Sequence, residues 1–382
     1  MWVITGNCSA ASAPARLRTT AGLAALAAVV LTALMPAAAG ADDELTVVSW
    51  GGAYTRSQIL GFVRDFEQET GVEVEMVDYA GGIEEIRSQV RAWNVKWDIV
   101  DLQLYDAIRA CDEGLLVEID PSTLPPAPDG TAAADDFLPG ALMPCGIGNL
   151  AGSTVVAWDH SRLEQAPTRL EDFFDVQAFP GRRGLRPTPQ TNLEWALIAD
   201  GVAPGRVYDV LETEEGVDRA FAVLDRLKPH IEWWQLGEEA VRLLETGRVV
   251  MTSAYNGRIH SAAERGEPFA ILWDHHARYI DVWSIPRHGE RLGLALEFLR
   301  YATSTRSLAA QARYIPYGPL RASSLELLEP DVKVNLPTGP GNLAQMFQTD
   351  ASWWAEHLPA LQTRFDRWRE RPVMVPKDWP AR

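Results

Sequence analysis

The feature that most constrains the fold is the alternation of strand and helix patterns between residues 44 and 102. Glu44 to Trp50 alternates in polarity and is rich in β-branched side chains, which is typical of a strand. Residues 55–70 place apolar side chains at helical spacing, and a strand, a helix and a third strand follow. This order predicts a parallel sheet with covered faces, so the chain is predicted to be an α/β protein.

The first forty residues form a separate pattern. Arg16 and Arg18 precede an apolar run from Ala21 to Met35, and small residues lead to Ala41. This order is typical of a secretory signal peptide, because the apolar run is shorter than the roughly 20 residues that a membrane-spanning helix needs. We expect residues 1–41 to be a signal peptide cleaved near Ala41, and the mature protein to be periplasmic.

The length and charge of the rest of the chain restrict the architecture and the partners. Removal of 41 of the 382 residues leaves 341, which is too many for one typical core and favours two lobes. The formal net charge of the whole chain is −17. Nucleic acids bind patches of Lys and Arg, so no nucleic-acid partner is predicted, whereas the charge is compatible with attracting cations.

Polar and aromatic residues gather where predicted strands end, which in parallel sheets is where ligands bind. The predicted ligand-binding residues are Trp50, Gln103, Tyr105, Trp234, Tyr255, Tyr279, Asp281 and Tyr314. Alternation along a strand places Tyr279 and Asp281 on one face, and a carboxylate beside aromatic rings suits an amine or a guanidinium. An ordinary strand with a salt-bridged Asp281 remains the alternative.

Motifs of common enzymes are missing from the sequence. It has no GxSxG, HExxH, P-loop or CxxC motif, and no GxGxxG motif after a strand. The adjacent His275 and His276 would point to opposite faces of a strand, so no metal site is predicted there. We therefore predict a protein that is not an enzyme and that needs no cofactor.

Two cysteines, Cys111 and Cys145, remain after the signal peptide. An even pair in an oxidising compartment predicts a disulfide bond. The alternative is an enzyme on the same fold that uses Cys145 as its nucleophile, as thiaminase-like transferases do.

The mature chain resembles the bacterial periplasmic binding proteins of the spermidine/putrescine type, which serve ABC importers. The resemblance rests on SWGGAY (Ser49–Tyr54), FEQETGVEVE (Phe66–Glu75), WDIVDLQ (Trp97–Gln103), CDEGLL (Cys111–Leu116), NLEWAL (Asn192–Leu197), GRVVMTSAYNGR (Gly247–Arg258), IDVWSIP (Ile280–Pro286) and YIPYGP (Tyr314–Pro319).

The resemblance implies a two-lobe, type II periplasmic binding fold with a ligand cleft between the lobes. The expected ranges are 42–152 for the first part of lobe 1, 153–280 for lobe 2, and 281–382 for the return segment and C-terminal helices of lobe 1. The implied mechanism is hinge closure around a small cationic or zwitterionic solute, and the implied partner is the membrane permease of an ABC importer. We expect a monomer.

In that family a polyamine lies between aromatic rings, with carboxylates at its amino groups. The resemblance carries this role to Trp50, Gln103, Tyr105, Tyr255, Tyr279 and Asp281, and to Tyr314 or else Tyr317. The family's acidic residues near Thr188–Asn192 are replaced by threonine, and Gly52 replaces another acid. This departure favours a ligand with one cationic end, or a zwitterion. A ferric-iron carrier that uses Tyr314 and Tyr317 is a further alternative.

Overall fold

One mixed sheet organises the part of the chain that the computed structural model describes, residues 44–372. Within this range the strands are β1 (Glu44–Ser49), β2 (Glu73–Asp78), β3 (Ile99–Gln103), β4 (Leu142–Met143), β5 (Gly146–Asp159), β6 (Arg183–Leu185), β7 (Ile231–Trp233), β8 (Met251–Tyr255), β9 (Phe269–Ser284), β10 (Gly318–Pro319) and β11 (Phe347–Gln348). Their order is β2-β1-β3-β9-β5-β8-β6-β7; β4 and β10 pair with β5, and β11 pairs with β9. The predicted signal peptide lies outside the described residues.

Helices surround the sheet. They are α1 (Gly52–Gln58), α2 (Arg64–Thr70), α3 (Glu84–Arg91), α4 (Leu104–Asp112), α5 (Ala133–Asp136), α6 (Glu171–Phe174), α7 (Asn192–Ala199), α8 (Val207–Leu211), α9 (Glu214–Leu227), α10 (Gly237–Glu245), α11 (Asn256–Glu264), α12 (Leu292–Ala302), α13 (Thr305–Tyr314), α14 (Ala322–Glu326), α15 (Pro330–Lys333), α16 (Pro340–Leu343) and α17 (Ala351–Glu370). A π-helical segment, Ile59–Val63, joins α1 to α2. None of the helices between residues 44 and 372 combines the length and the apolar character that crossing a membrane requires.

The predicted α/β class is confirmed. Strand β1 pairs in parallel with β2 and with β3, as the alternating pattern of residues 44–102 indicates. The sheet then continues through β5 and β9, which are 14 and 16 residues long and run antiparallel to each other. Strand β9 pairs with β3 along its later residues, and β5 pairs with β8, so these two long strands join the two ends of the sheet.

Two large hydrophobic clusters flank this sheet. The first cluster combines residues of β1 and β3 with Phe62, Val282 and Phe298. The second cluster gathers side chains of α7, α9 and α17, among them Trp195, Phe221 and Trp354. The existence of two clusters agrees with the size argument that one core would not suffice.

The last helix packs with the second hydrophobic cluster. The expected range of lobe 1, residues 281–382, includes this helix, yet the apolar side chains of α17 lie among those of α7 and α9. The indole Nε1 of Trp354 donates a 2.6 Å hydrogen bond to the buried carboxylate of Glu194 in α7. The indole Nε1 of Trp368 donates at 2.7 Å to Asp225 in α9. Sequence periodicity shows that α17 has an apolar face but not which surface covers it.

The predicted disulfide bond between Cys111 and Cys145 is confirmed, with Cα atoms 5.7 Å apart. It ties α4 to the turn between β4 and β5. The nucleophile hypothesis for Cys145 is wrong, because its sulfur is bonded to Cys111 and the residue is buried.

We expect the double variant Cys111→Ser/Cys145→Ser to lose about 3–4 kcal/mol of unfolding free energy, because the bond closes a loop of 34 residues in the unfolded chain. Urea denaturation under non-reducing conditions measures this loss. The wild-type protein under reducing conditions is the matched control and should approach the variant. A loss below about 1 kcal/mol would contradict the chain-entropy account.

Candidate ligand-binding site

Two adjoining cavities lie where the carboxyl ends of β1, β3, β6 and β8 meet β9. The acidic cavity, of about 250 Å³, is lined by Trp50, Tyr54, Gln103, Tyr255, Arg258, Tyr279, Asp281 and Tyr317. The arginine cavity, of about 410 Å³, is lined by Gln103, Thr154, Arg186, Thr188, Gln190, Thr191, Asn192, Trp234, Ser253, Tyr255, Ala277, Tyr279 and Thr349. Gln103, Tyr255 and Tyr279 line both, so the cavities share a wall.

The strand register brings Asp281 and Gln103 to the acidic cavity. They are directly opposite each other in the antiparallel pair β3–β9, so both side chains leave the same face of the sheet. Asp281 is 3% exposed and Gln103 is 5% exposed. One side-chain oxygen of each, Oδ1 of Asp281 and Oε1 of Gln103, has no hydrogen-bond partner. An unpaired buried acceptor costs about 1–3 kcal/mol, so the cavity favours a ligand that donates hydrogen bonds here.

Asp101 lies behind this pair, on the same face of β3. Its Oδ2 accepts hydrogen bonds from Tyr54 Oη (2.6 Å), Gln58 Nε2 (3.0 Å) and Asn149 Nδ2 (2.9 Å). Burial raises the pKa of Asp101 to about 7, against the opposing effect of these donors. Burial, together with the neighbouring charge of Asp101, raises the pKa of Asp281 well above its usual range.

Aromatic rings form the other walls of the acidic cavity. Tyr255 and Tyr279 meet edge to face with ring centroids 5.6 Å apart, and so do Tyr54 and Tyr317. Trp50 packs against this group. The rings supply apolar contact and negative π faces, which attract a cation.

Arg186 gives the other cavity its opposite character. It follows the carboxyl end of β6, donates from Nη1 to Tyr255 Oη (2.9 Å) and donates from Nη2 to the carbonyl oxygen of Ala80 (2.9 Å). No carboxylate between residues 44 and 372 lies within ion-pair distance of this guanidinium. The cavity therefore contains a cation without a direct ion-pair partner among the described residues, and Asp106 in the adjoining groove is a nearby acid.

The loop that enters α7 borders the arginine cavity. Asn192 Nδ2 donates to the carbonyl oxygens of Arg186 (2.8 Å) and Thr188 (2.6 Å), which fixes this loop. Thr191 has a φ of 69°, an uncommon conformation for a β-branched residue, at the position before the helix begins. The N–H group of Leu193 donates to the carbonyl oxygen of Pro189 (2.9 Å), and backbone N–H groups of this turn donate to the Glu194 carboxylate, so the start of the helix is already partnered.

Glu194 does not belong to the site. Its side chain is fully buried and accepts from Trp354 Nε1 and Tyr208 Oη, so it faces α17 rather than the arginine cavity. Burial raises the pKa of Glu194 to about 7. The segment 188–192 therefore contributes no carboxylate to either cavity.

Arg258 and Glu238 connect the site to the segment that follows β1. Arg258 pairs with Glu238 and donates from Nη2 to the carbonyl oxygen of Trp50 (2.8 Å). Glu238 Oε1 also accepts from the backbone N–H of Ala53 (2.9 Å). Gly52 has a φ of 58°, and a Cβ atom there would collide with the Glu238 carboxylate. This contact explains why glycine stands where the resemblance expects an acid.

The structure brings most of the predicted site residues together, but not all of them. Trp50, Gln103, Tyr255, Tyr279 and Asp281 line the acidic cavity, and Trp234 lines the arginine cavity. Tyr105 lines neither; it borders a wider groove of about 1110 Å³ beyond Arg186. Tyr314 is 51% exposed at the end of α13 and lines neither cavity, whereas Tyr317 is 3% exposed and lines the acidic one. The correction replaces Tyr314 by Tyr317.

This placement of the two tyrosines also removes support for an iron carrier, because they do not share a cavity. Across residues 44–372, no group of three or more His, Cys, Asp or Glu side chains could hold a metal ion. His276 is buried, with Nδ1 2.7 Å from Ser153 Oγ and Nε2 2.9 Å from the Asn342 carbonyl oxygen.

Sequence reasoning missed Tyr54, Arg186 and Arg258. Their signals were present: Arg186 precedes the segment in which threonines replace acids, Arg258 ends the quoted segment that begins at Gly247, and Tyr54 ends SWGGAY.

Comparison with known proteins shows the family of the chain. Residues 61–338 match the model of a family described as bacterial extracellular solute-binding protein. A gamma-aminobutyric acid (GABA)-binding protein of Pseudomonas aeruginosa is 38% identical over 339 residues, which cover 89% of this chain and 94% of that protein. This family consists of binding proteins, as the absence of enzyme motifs predicts.

Solved structures confirm the predicted periplasmic binding fold. The periplasmic binding protein MotA of Agrobacterium tumefaciens B6, in complex with glucopine, has a TM-score of 0.79 and 26% identity, and the match covers 85% of this chain and 99% of that one. A GABA receptor has a TM-score of 0.75 and 26% identity, covering 86% of this chain and 98% of that one.

The predicted spermidine/putrescine type is supported only at the level of the fold. The spermidine/putrescine-binding protein PotD of Streptococcus pneumoniae is 16% identical with a TM-score of 0.65, and the match covers 86% of this chain and 100% of that one.

We expect the ligand-free protein to lose stability as the pH rises from about 4 to about 7, in part because of Asp101. Its folded-state pKa of about 7 exceeds the roughly 3.9 of an unfolded aspartate, so the folded state binds more protons in this window. The Asp101→Asn variant should show a flatter dependence of unfolding free energy on pH, measured by urea denaturation. Asp135→Asn, at an exposed position, is the control. Equal slopes for wild type and Asp101→Asn would contradict this expectation.

Proposed function

The chain belongs to the bacterial extracellular solute-binding proteins, and from this premise we propose that it delivers a short zwitterion, such as GABA, to an ABC importer. The proposed ligand has a protonated amine at one end and a carboxylate at the other. Residues 1–41 would direct export to the periplasm, where the protein would act as a monomer.

This proposal rests on one observation. The acidic cavity contains hydrogen-bond acceptors without donors, and the adjoining arginine cavity contains a cation without an ion-paired acid. The unpaired oxygens of Asp281 and Gln103 suit an ammonium group, which has three N–H donors. The guanidinium of Arg186 suits a carboxylate, which it can bind through two parallel hydrogen bonds. The faces of Tyr255 and Tyr279 would cover the short chain between the two charged ends.

The same charges argue against a linear polyamine. Its second ammonium would have to lie near Arg186, where two positive charges 4 Å apart repel by about 4 kcal/mol at an effective dielectric constant of 20. No carboxylate lines the arginine cavity itself, where such a charge would offset that repulsion. The relatives named as GABA-binding support the zwitterion on independent grounds.

An opine is the second candidate, favoured by the groove beyond Arg186. This groove is wider than either cavity and is lined by polar side chains, including Glu84, Arg109 and Gln362. A larger substituent on an amino acid would fit there, and a related structure holds glucopine.

We propose that the ligand is trapped by hinge closure, with the described conformation as the closed one. Three hydrogen bonds would stabilise the closed form. Arg186 donates to the carbonyl oxygen of Ala80, Arg258 donates to the carbonyl oxygen of Trp50, and the backbone N–H of Ala53 donates to Glu238. Each joins an element near β6, α10 or α11 to the segments that follow β1 and β2. The permease would recognise this closed form.

Isothermal titration with matched ligands tests the two-ended site. We expect GABA to bind, and we expect both butyrate, which lacks the amine, and putrescine, which lacks the carboxylate, to bind at least 100-fold more weakly. The reason is that each omission leaves one buried charge unpaired, at about 2–5 kcal/mol. Binding of putrescine tighter than that of GABA would overturn the proposal, and tight binding of an opine alone would favour the second candidate.

Variants assign the two ends of the ligand. Arg186→Met should weaken GABA binding by at least about 30-fold and remove the discrimination against putrescine, because it removes the proposed carboxylate partner. Asp281→Asn should weaken GABA binding similarly and remove the discrimination against butyrate. Tyr314→Phe is the matched control and should leave both affinities unchanged. If Arg186→Met instead removed the discrimination against butyrate, and Asp281→Asn that against putrescine, the ligand would lie in the opposite orientation.

A further inference from the structure

Asp101 and Asp281 form a buried pair of carboxylates. The proposed ligand contacts account for Asp281 but give no role to Asp101. Asp101 is opposite Trp283 and Asp281 is opposite Gln103 in the β3–β9 register, so the two acids are diagonal neighbours on one face of the sheet. Both are at least 97% buried, and the Oδ1 atom of each has no hydrogen-bond partner. Of the two, only Asp281 lines the acidic cavity.

The two carboxylates differ in their donors. Asp101 accepts three hydrogen bonds on Oδ2, which favour its charged form. In the described part of the chain no donor reaches the side chain of Asp281, and no arginine lies within ion-pair distance of it. Two buried negative charges on neighbouring strands repel, so the pair is more stable with one proton than with none.

We propose that Asp101 is a specificity-determining residue: in the ligand-free protein Asp101 and Asp281 hold one proton between them, and the ligand's ammonium group displaces it. This inference rests on the proposed function in taking an ammonium ligand. Asp101 makes the cavity require one positive charge, supplied by a proton when the site is empty and by the ammonium group when it is filled.

The exchange balances without any covalent change to the ligand. The O–H bond of the protonated carboxyl group in the pair breaks, and its proton passes to the buffer. The ammonium group enters with its own three protons and donates to the freed carboxylate. The charge of the acid pair together with its bound cation is therefore the same before and after binding.

Other ionisable groups face the pair from each packed element. They are Tyr54 on α1, Tyr79 after β2, Tyr105 and Asp106 on α4, Arg186 after β6, Tyr255 on β8, Arg258 on α11 with its partner Glu238 on α10, Tyr279 on β9, and Tyr317 before β10. Burial raises the pKa of Tyr54, Tyr79 and Tyr279 well above the usual range, so these phenols stay neutral near pH 7. Arg258 is paired with Glu238, and Arg186 is held by Tyr255 and Ala80.

Asp106 is another buried acid near the pair. Burial raises the pKa of Asp106 to about 6, and its Oδ1 lies 3.0 Å from Nη1 of Arg109, so it is already ionised at pH 8. It lines the wider groove together with Arg186, so a variant at this position could itself change ligand binding. Asp135→Asn, at an exposed position outside both cavities, is therefore the control for Asp101→Asn.

The first test observes the ligand-free protein by carbon-13 NMR of aspartate-labelled chains, with signals assigned through Asp101→Asn and Asp281→Asn. We expect one carboxyl of the pair to be protonated and the other ionised at pH 8, above the pKa of about 7 of Asp101. Ionisation of both carboxyls at pH 8, or protonation of both, would overturn the proposal, whether or not GABA is the ligand.

The second test is titration calorimetry with GABA at pH 8 in three buffers of different ionisation enthalpy. We expect release of about one proton per ligand at this pH, and within the pH range where one proton is released the affinity should fall about tenfold for each unit of decrease in pH. Asp101→Asn should release far fewer protons and bind with a flatter pH dependence, whereas Asp135→Asn should behave as wild type. A merely structural role for Asp101 would instead change the affinity equally at all pH values and leave the proton count unchanged.

The outcomes separate the two proposals. GABA binding without proton release would overturn the shared proton and leave the proposed function standing. Absence of GABA binding would count against the proposed function, while the NMR titration would still decide whether the pair shares a proton.

Discussion

The antiparallel pairing of β5 with β9 is the interaction on which the rest of the structure depends. These strands join the parallel strands β1–β3 to the strands β6–β8, and β9 carries Tyr279 and Asp281 into the cavities. A slip of one residue would turn Asp281 to the opposite face of the sheet, because side chains alternate along a strand. The position of the site's buried acid is therefore a property of strand register.

The site combines two unbalanced charges that the fold keeps apart. Burial of an unpaired ion is costly, so each end needs a partner to become stable. Among the described residues, no cation is in ion-pair contact with Asp101 or Asp281 at the acidic end, and no acid is in ion-pair contact with Arg186 at the other end. Buried arginines elsewhere in the molecule are satisfied in two ways. Arg321 is paired with Asp136 at 3.1 Å, whereas Arg183 donates to backbone carbonyl oxygens.

Much of the architecture could be predicted from the sequence because it depends on local patterns. The alternation of polar and apolar residues predicted β1. The rule that ligands bind at the carboxyl ends of parallel strands identified Trp50, Gln103 and Tyr255 as candidate site residues. The disulfide bond followed from the number of cysteines and the compartment.

Long-range contacts account for what could not be predicted. Arg186 acquires its role only when β6 lies beside β8, and a local pattern cannot show that no acid comes near it. The choice between Tyr314 and Tyr317 depends on the residue at which α13 ends, which sequence fixes poorly. Asn149 reaches Asp101 from a register irregularity in β5 between Gly148 and Leu150, which alternation does not reveal.

The packing of α17 has a consequence for how the protein is made. Its side chains Trp354, Phe365 and Trp368 fill the second cluster against α7 and α9, which precede it by more than a hundred residues. In a chain that emerges from its N-terminus, the second cluster cannot be complete until residue 368 has emerged. The first cluster, whose latest members are Leu308 and Leu320, can be complete earlier. The order of emergence therefore leaves the cluster that contains α7 and α9 as the later of the two to be completed.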